Sequence, residues 1–186
     1  QAAMPACANA GLSSSCARGI MLSVAVQPAG TVTLVFTDIE GSTALLDGLG
    51  AEAFREALAE HRRALREAFG AYSGYEVDDA GDGLLYAFGS ASGAVSAVGV
   101  AMAALAEGPV RIRVGVHTGE PLLDPPKYVG PDVHKAARIM SAAHGGQVLL
   151  SGATRELVAE DVLDLGKHRL KDFAETVSLY QLGSDR

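Results

Sequence analysis

Residues 31–43 read Thr31-Val-Thr-Leu-Val-Phe-Thr-Asp-Ile-Glu-Gly-Ser-Thr43, and the reading of this stretch decides the fold. Val32, Leu34 and Phe36 alternate as in a half-buried strand, with β-branched residues filling the gaps. The Gly41-Ser42-Thr43 turn then opens a helix. The strand is expected to deliver Asp38 to the edge of the sheet as a fixed carboxylate. The backbone N–H groups of Glu40, Gly41, Ser42 and Thr43, at a helix N-terminus, form a seat for phosphates. A carboxylate for a metal beside an amide nest for phosphates suggests a nucleoside triphosphate site. Taken alone, the segment equally supports a plainer reading, with Asp38 or Ser42 as a simple helix cap.

A second stretch changes that balance. Tyr75-Glu-Val-Asp-Asp-Ala-Gly-Asp-Gly-Leu-Leu-Tyr-Ala-Phe88 reads as two short strands folded around Gly81-Asp82-Gly83. Asp-Gly is a strong hairpin signal, so Asp82 is at least a turn former. A hairpin tip can also hold a carboxylate beside the end of a neighbouring strand. Two such carboxylates suit a pair of Mg²⁺ or Mn²⁺ ions, hard cations that take oxygen ligands. Such a pair clamps the attacking and leaving oxygens in phosphoryl chemistry.

The rest of the chain alternates helices and strands. Phe54, Leu58, His61, Leu65 and Phe69 recur at helical spacing, and Gly70 is expected to end that helix. His61 lies on the apolar stripe, which makes it a packed core or interface histidine rather than a ligand. Val95, Val98, Met102 and Leu105 mark a second helix, with Ser90 as its cap. Val110, Ile112, Val114 and Val116 alternate through a strand that ends at His117-Thr118-Gly119, and Gly130-Pro131 starts a third helix. Strands near 147–150, 162–165 and 177–182 follow, with a helix over 153–158. This order predicts an α+β chain with a ferredoxin-like βαββαβ core and an added C-terminal βαββ-type extension.

Composition agrees with one domain. A chain of 186 residues that is 48% hydrophobic can bury one substantial core. A net charge of −7 argues against nonspecific nucleic-acid binding and means that an anionic substrate must be drawn by metals and a few local cations. No apolar run of about 18 residues is present to span a membrane. Residues 1–30 are rich in Ala, Ser and Gly and carry both cysteines, Cys7 and Cys16. They are expected to form a flexible N-terminal extension before a domain over 31–186. Arg18 before the short apolar run 19–26 leaves a secretory signal as the minor alternative, an edge strand being the other, and Met21 is a candidate natural start. Two cysteines there define no disulfide framework, so a reducing cytoplasm is the expected setting.

Five blocks, Thr33–Thr43, Gly81–Phe88, Arg113–Gly119, Val133–Arg138 and Arg169–Leu182, resemble in order the motifs of class III nucleotidyl cyclase catalytic domains. Asp-Ile-Glu-Gly-Ser-Thr, Gly-Pro-Asp-Val-His and His-Gly-Gly-Gln-Val-Leu-Leu-Ser are similar to the bacterial members. The resemblance implies the same palm-like fold. It also implies a head-to-tail homodimer with shared active sites, in which a nucleoside triphosphate is cyclised with two divalent metal ions. Asp38, Asp82 and the backbone carbonyl of Ile39 would hold the metals. One metal would bring the ribose 3′-hydroxyl onto the α-phosphate, and the other would hold the triphosphate and the leaving pyrophosphate. Arg138 takes the transition-state arginine position, contributed from the partner chain, and Lys171 the position that reaches the terminal phosphates. The plainer readings of these two are a solvated helix arginine and a surface lysine.

Four positions depart from the family pattern. His134 stands where an asparagine usually orients the ribose. Asp78 stands where adenylyl cyclases carry an adenine-reading lysine, and Lys127 aligns with their adenine-reading aspartate. Lys171 is followed by Asp172, where Lys-Gly is usual. The stretch 120–127 is also short, which implies a reduced dimerisation arm. The leading expectation is an adenylyl cyclase. A guanylyl or promiscuous purine cyclase is the alternative that the acidic Asp78 favours, and a catalytically silent dimerisation or nucleotide-binding module is the non-enzymatic one. A diguanylate cyclase of the GGDEF type lacks support, because no Glu-Phe follows Gly81-Asp82-Gly83.

Overall fold

The computed structural model of the protein describes residues 26–183. The readings placed on residues 1–25, Cys7, Cys16 and Met21 among them, lie outside the described residues. Strand β1 (Val32–Ile39) leads into α1 (Ser42–Leu49) and α2 (Ala51–Ala71), with Gly50 between the helices at φ +78°. The hairpin β2 (Tyr75–Ala80) and β3 (Gly83–Phe88) follows, then α3 (Ala91–Leu105) and β4 (Ile112–Gly119). A small hairpin, β5 (Leu122–Asp124) and β6 (Lys127–Val129), precedes α4 (Pro131–Ala142). The chain continues as β7 (Val148–Ser151), α5 (Gly152–Arg155), β8 (Val162–Arg169) and β9 (Thr176–Leu182).

Seven of these strands form one sheet in the order β2-β3-β1-β4-β7-β9-β8. The first four pair antiparallel throughout, as two interlocked split βαβ units require. β7 joins parallel to β4, and β9 and β8 extend the sheet antiparallel, which makes the C-terminal unit βαββ. The expected core and extension are both present.

β1 is a central strand, and this corrects two expectations drawn from its sequence. Asp38 sits near the C-terminal end of an interior strand, not at a lateral edge. The residues between the alternating Val32, Leu34 and Phe36 are buried as well: Thr33, Val35 and Thr37 are each 2% exposed or less. The reason is that both faces of the sheet are covered. Val35 and Ile39 pack with Leu65 and Phe69 of α2 and Val95 and Val98 of α3. Val32 and Leu34 pack on the opposite face with Tyr128 of β6 and Ala136 of α4. By the period-two alternation of a strand, Asp38 shares the face that carries α4.

Helix ends depart in detail from the sequence expectation. α2 runs through Gly70 to Ala71, and the left-handed conformation falls at Ser73 (φ +59°) rather than at the glycine. Ser90 caps α3 as expected, accepting from the Gly93 N–H at 3.2 Å. α5 is shorter than the expected 153–158. The β5–β6 hairpin occupies the stretch read as a reduced arm.

His61 is the packed core histidine that its stripe indicated, fully buried, and neither ring nitrogen has a hydrogen-bond partner. Burial, reinforced by the Arg62 charge, lowers its pKa from 6.5 to about 4, against the opposing pull of Asp82, Asp79 and Asp38. The unfolded chain therefore binds a proton near pH 6.5 and the folded chain only near pH 4. Stability is lost as pH falls between those values, by on the order of 3 kcal/mol. His61→Leu removes this contribution, so its melting temperature relative to the wild type should rise steadily from pH 7 to pH 4.5. A constant difference across that range would show that His61 is not the titrating group.

Candidate active site

The site is built on the α4 side of the sheet, at the C-terminal end of β1. Register places Arg113 of β4 directly beside Asp38. The Arg113 Nε donates to Asp38 Oδ2 at 2.8 Å, and its Nη2 donates to the same oxygen. The second oxygen, Oδ1, faces the β2–β3 hairpin, 3.6 Å from where a Cβ on Gly83 would stand. That Cβ would also lie 2.8 Å from the Thr37 carbonyl, so only glycine lets the hairpin tip close onto the end of β1. Asp82, one residue before Gly83, sits at the tip that makes this approach. Arg62 of α2 fixes the tip from behind, donating to the Gly81 carbonyl at 2.5 Å and to Asp79 Oδ1 at 3.2 Å.

Among the described residues, no group of three or more His, Cys, Asp or Glu side chains is arranged to hold a metal ion. The candidate donor set is accordingly two carboxylates and a backbone carbonyl, Asp38, Asp82 and Ile39. All are oxygen donors, and an ion held this way keeps several positions for substrate oxygens, as Mg²⁺ sites do. The residues present fit that chemistry.

The start of α1 differs from expectation. Its N-cap is Gly41 at φ +64° with no side-chain cap hydrogen bond, so neither Asp38 nor Ser42 caps the helix. The Glu40 N–H donates to the Arg111 carbonyl at 2.9 Å and drops out of the amide nest. The amides of Gly41, Ser42 and Thr43 remain, ahead of the first helical bond from Leu45 N–H to the Gly41 carbonyl.

A cleft of about 300 Å³ opens next to Asp38, walled by Phe36, Val77, Leu85, Tyr128 and Val133. Asp78 and Lys127 stand on its rim and pair with each other, Lys127 Nζ donating to Asp78 Oδ2 at 3.0 Å. A bulge in β2 between Glu76 and Asp78 turns Asp78 to this face. Asp79 goes the other way, to Arg62 and Arg66 of α2.

Arg138 and His134 lie one turn apart on α4 and line a second cleft of about 450 Å³ with Asp172 and Phe173. Lys171 is exposed in the turn that carries Asp172. Asp38 and Arg138 thus line different clefts of one chain.

α4 itself is pinned by a buried network. His117 is almost fully buried, with Nδ1 2.8 Å from Ser151 Oγ and Nε2 3.0 Å from Asp132 Oδ1. The Glu120 N–H donates to Asp132 Oδ2 at 3.0 Å. Burial opposes ionisation of Asp132, but the bonds from His117 and the Glu120 amide outweigh it and hold the carboxyl below its usual range. A Cβ on Gly119 would stand 2.4 Å from that carboxyl carbon, and one on Gly115 2.3 Å from the Met140 amide nitrogen. These two glycines let the helix lie directly on β4. The pattern of residues 113–119 by itself assigns no role to Arg113 or His117. The available signal was a charged residue set into an apolar strand, Ile112-Arg-Val-Gly-Val.

A family model described as the Adenylate and Guanylate cyclase catalytic domain matches residues 24–182. This chain belongs to that family. An uncharacterised protein of Mycobacterium tuberculosis is 38% identical over 168 residues, covering 83% of this chain and 56% of that protein. The chain therefore spans about half the length of that curated relative. Adenylate cyclases from Trypanosoma brucei, solved in their monomeric state, superpose with a TM-score of 0.76 at 30% identity, over 84% of this chain and 90% of theirs. The adenylyl cyclase CyaB from P. aeruginosa gives a TM-score of 0.69 at 27% identity, over 84% of this chain and 95% of that one. Among the described residues of this cyclase-family chain, no helix is long and apolar enough to cross a membrane.

Proposed function

We propose that the chain is the catalytic domain of a nucleotidyl cyclase that turns a purine nucleoside triphosphate into its 3′,5′-cyclic monophosphate and pyrophosphate. The observation that carries this reading is the close approach of the β2–β3 hairpin tip, which bears Asp82, to the end of β1 at Asp38, an approach that Gly83 allows. The ribose O3′ attacks the α-phosphorus, the bond to the bridging oxygen breaks so that its electron pair leaves with pyrophosphate, and the O3′ proton passes to solvent water. Divalent metals held by Asp38, Asp82 and the Ile39 carbonyl would lower the pKa of that hydroxyl and neutralise the leaving pyrophosphate. Gly41, Ser42 and Thr43 present amides to the phosphates, and Lys171 reaches the terminal ones. His134 donates one imidazole N–H to the ribose in place of the usual asparagine. Arg138 stabilises charge on the nonbridging oxygens as it develops.

The active form is a head-to-tail homodimer. The separation of Asp38 and Arg138 into two clefts of one chain supports this, because a site needs both. In such a dimer each site takes its carboxylates from one chain and its arginine from the other.

ATP is the first-choice substrate. An adenylate cyclase of Lachancea kluyveri is 34% identical over 155 residues, 67% of this chain and 8% of that protein. The base-reading pair pulls the other way. Asp78 would accept from guanine N1 and N2, and Lys127 would donate to O6. Their mutual ion pair instead satisfies both without a base. Poor discrimination follows, with ATP and GTP turned over within about tenfold of each other. Asp78→Lys combined with Lys127→Asp should shift the ratio toward ATP. A wild type that already prefers ATP a hundredfold, unchanged by the swap, would remove these residues from base reading. Incubation with Mn²⁺ and each of the four triphosphates, followed by assay for cyclic products, tests the activity itself. No product from any of them would favour the silent nucleotide-binding module, for which His134 and the Asp78–Lys127 pair are the supporting observations.

A further inference from the structure

Leu170 to Phe173 form a tight turn, closed by the Phe173 N–H donating to the Leu170 carbonyl at 3.2 Å. Asp172, its third residue, has φ +67°. Turns of this kind favour glycine there, and aspartate is among the few other residues that tolerate the conformation. The side chain that replaces the glycine hydrogen reaches Arg138, whose Nη2 donates to Asp172 Oδ2 at 2.5 Å. Both line the cleft that also holds His134. One of the five guanidinium donors of Arg138 is thereby taken. A negative charge also stands on Arg138, one residue along the chain from Lys171, in the region proposed to meet a polyanionic substrate.

We propose that Asp172 is a positioning residue that restrains Arg138, holding its guanidinium on its own chain and reducing its availability to the phosphates bound by the partner. The inference rests on the cyclase reading and on the shared site. It concerns a position where the chain keeps the backbone of a glycine but carries a carboxylate. The two side chains are 36% and 59% exposed, so the restraint is weak and tunes the rate rather than abolishing it.

Asp172→Gly removes the carboxylate and suits the turn. Its kcat should rise about fivefold, the size expected for releasing an exposed ion pair. KM for the nucleotide should change less, because Arg138 acts on charge that develops in the transition state. Asp172→Asn tolerates the same φ and keeps an acceptor without the charge, so it should give a smaller gain. The gain should vanish in an Arg138→Ala background and shrink at high ionic strength.

An Asp172→Gly kcat at or below that of the wild type overturns the proposal. So does an equal gain without Arg138, which would assign the effect to relief of the turn or to repulsion of the nucleotide. Product from the wild type without a gain in the variant removes the restraint alone. No product from either chain with Mn²⁺ and any of the four triphosphates removes the cyclase reading and the restraint with it.

Discussion

Asp38→Asn and Asp82→Asn chains should each lose turnover by on the order of 10³-fold, because each deletes an anionic ligand from a site whose metals supply several kcal/mol of transition-state stabilisation. The two variants should differ in stability. Asp38 carries both bonds from Arg113, so its amide leaves a half-buried guanidinium without its counter-charge. The Asp38→Asn chain should melt a few degrees lower, at a cost of about 1–3 kcal/mol. Asp82 is tied to no cation by an ion pair among the described residues, and its variant should melt like the wild type. Asp82→Asn is therefore the cleaner measurement: a cooperative melt with normal Mn²⁺-dependent turnover would end the metal assignment.

The other large effect is expected at Arg138. Arg138→Ala should cost about 10³-fold or more in kcat, as removal of a transition-state arginine does in phosphoryl transfer. The head-to-tail arrangement makes a sharper demand. Mixing inactive Arg138→Ala with inactive Asp38→Asn chains should restore activity, because one site of each heterodimer then receives both intact residues. With random exchange, half of the dimers are mixed and each has one good site, so recovery should approach about a quarter of wild-type activity. Chains shown to exchange that still give no product would mean that the site is not assembled across the dimer.

Much of this was legible in the sequence because the decisive signals are local. A strand that ends in Asp38, a hairpin built on Gly81-Asp82-Gly83 and a proline-started helix that carries Arg138 each declare themselves within about a dozen residues. The order of elements then restricts the topology to the split βαβ arrangement that is observed. The same locality explains the errors. Alternation in β1 suggested one buried face, because nothing within the strand reports that α2, α3 and α4 cover both sides. The Glu40 amide looked free because its acceptor, the Arg111 carbonyl, is 71 residues away in the chain.

By itself, then, the sequence determined most of the elements and their order, because periodicity and turn chemistry act over a few residues. Only the tertiary structure decided the partners: Arg113 on Asp38, Lys127 on Asp78, Asp172 on Arg138, and glycines 83, 115 and 119 as the places where backbones touch. Those pairings span 34 to 75 residues of chain. They are set by register across the sheet and by the seat of α4 on β4, which no local pattern encodes.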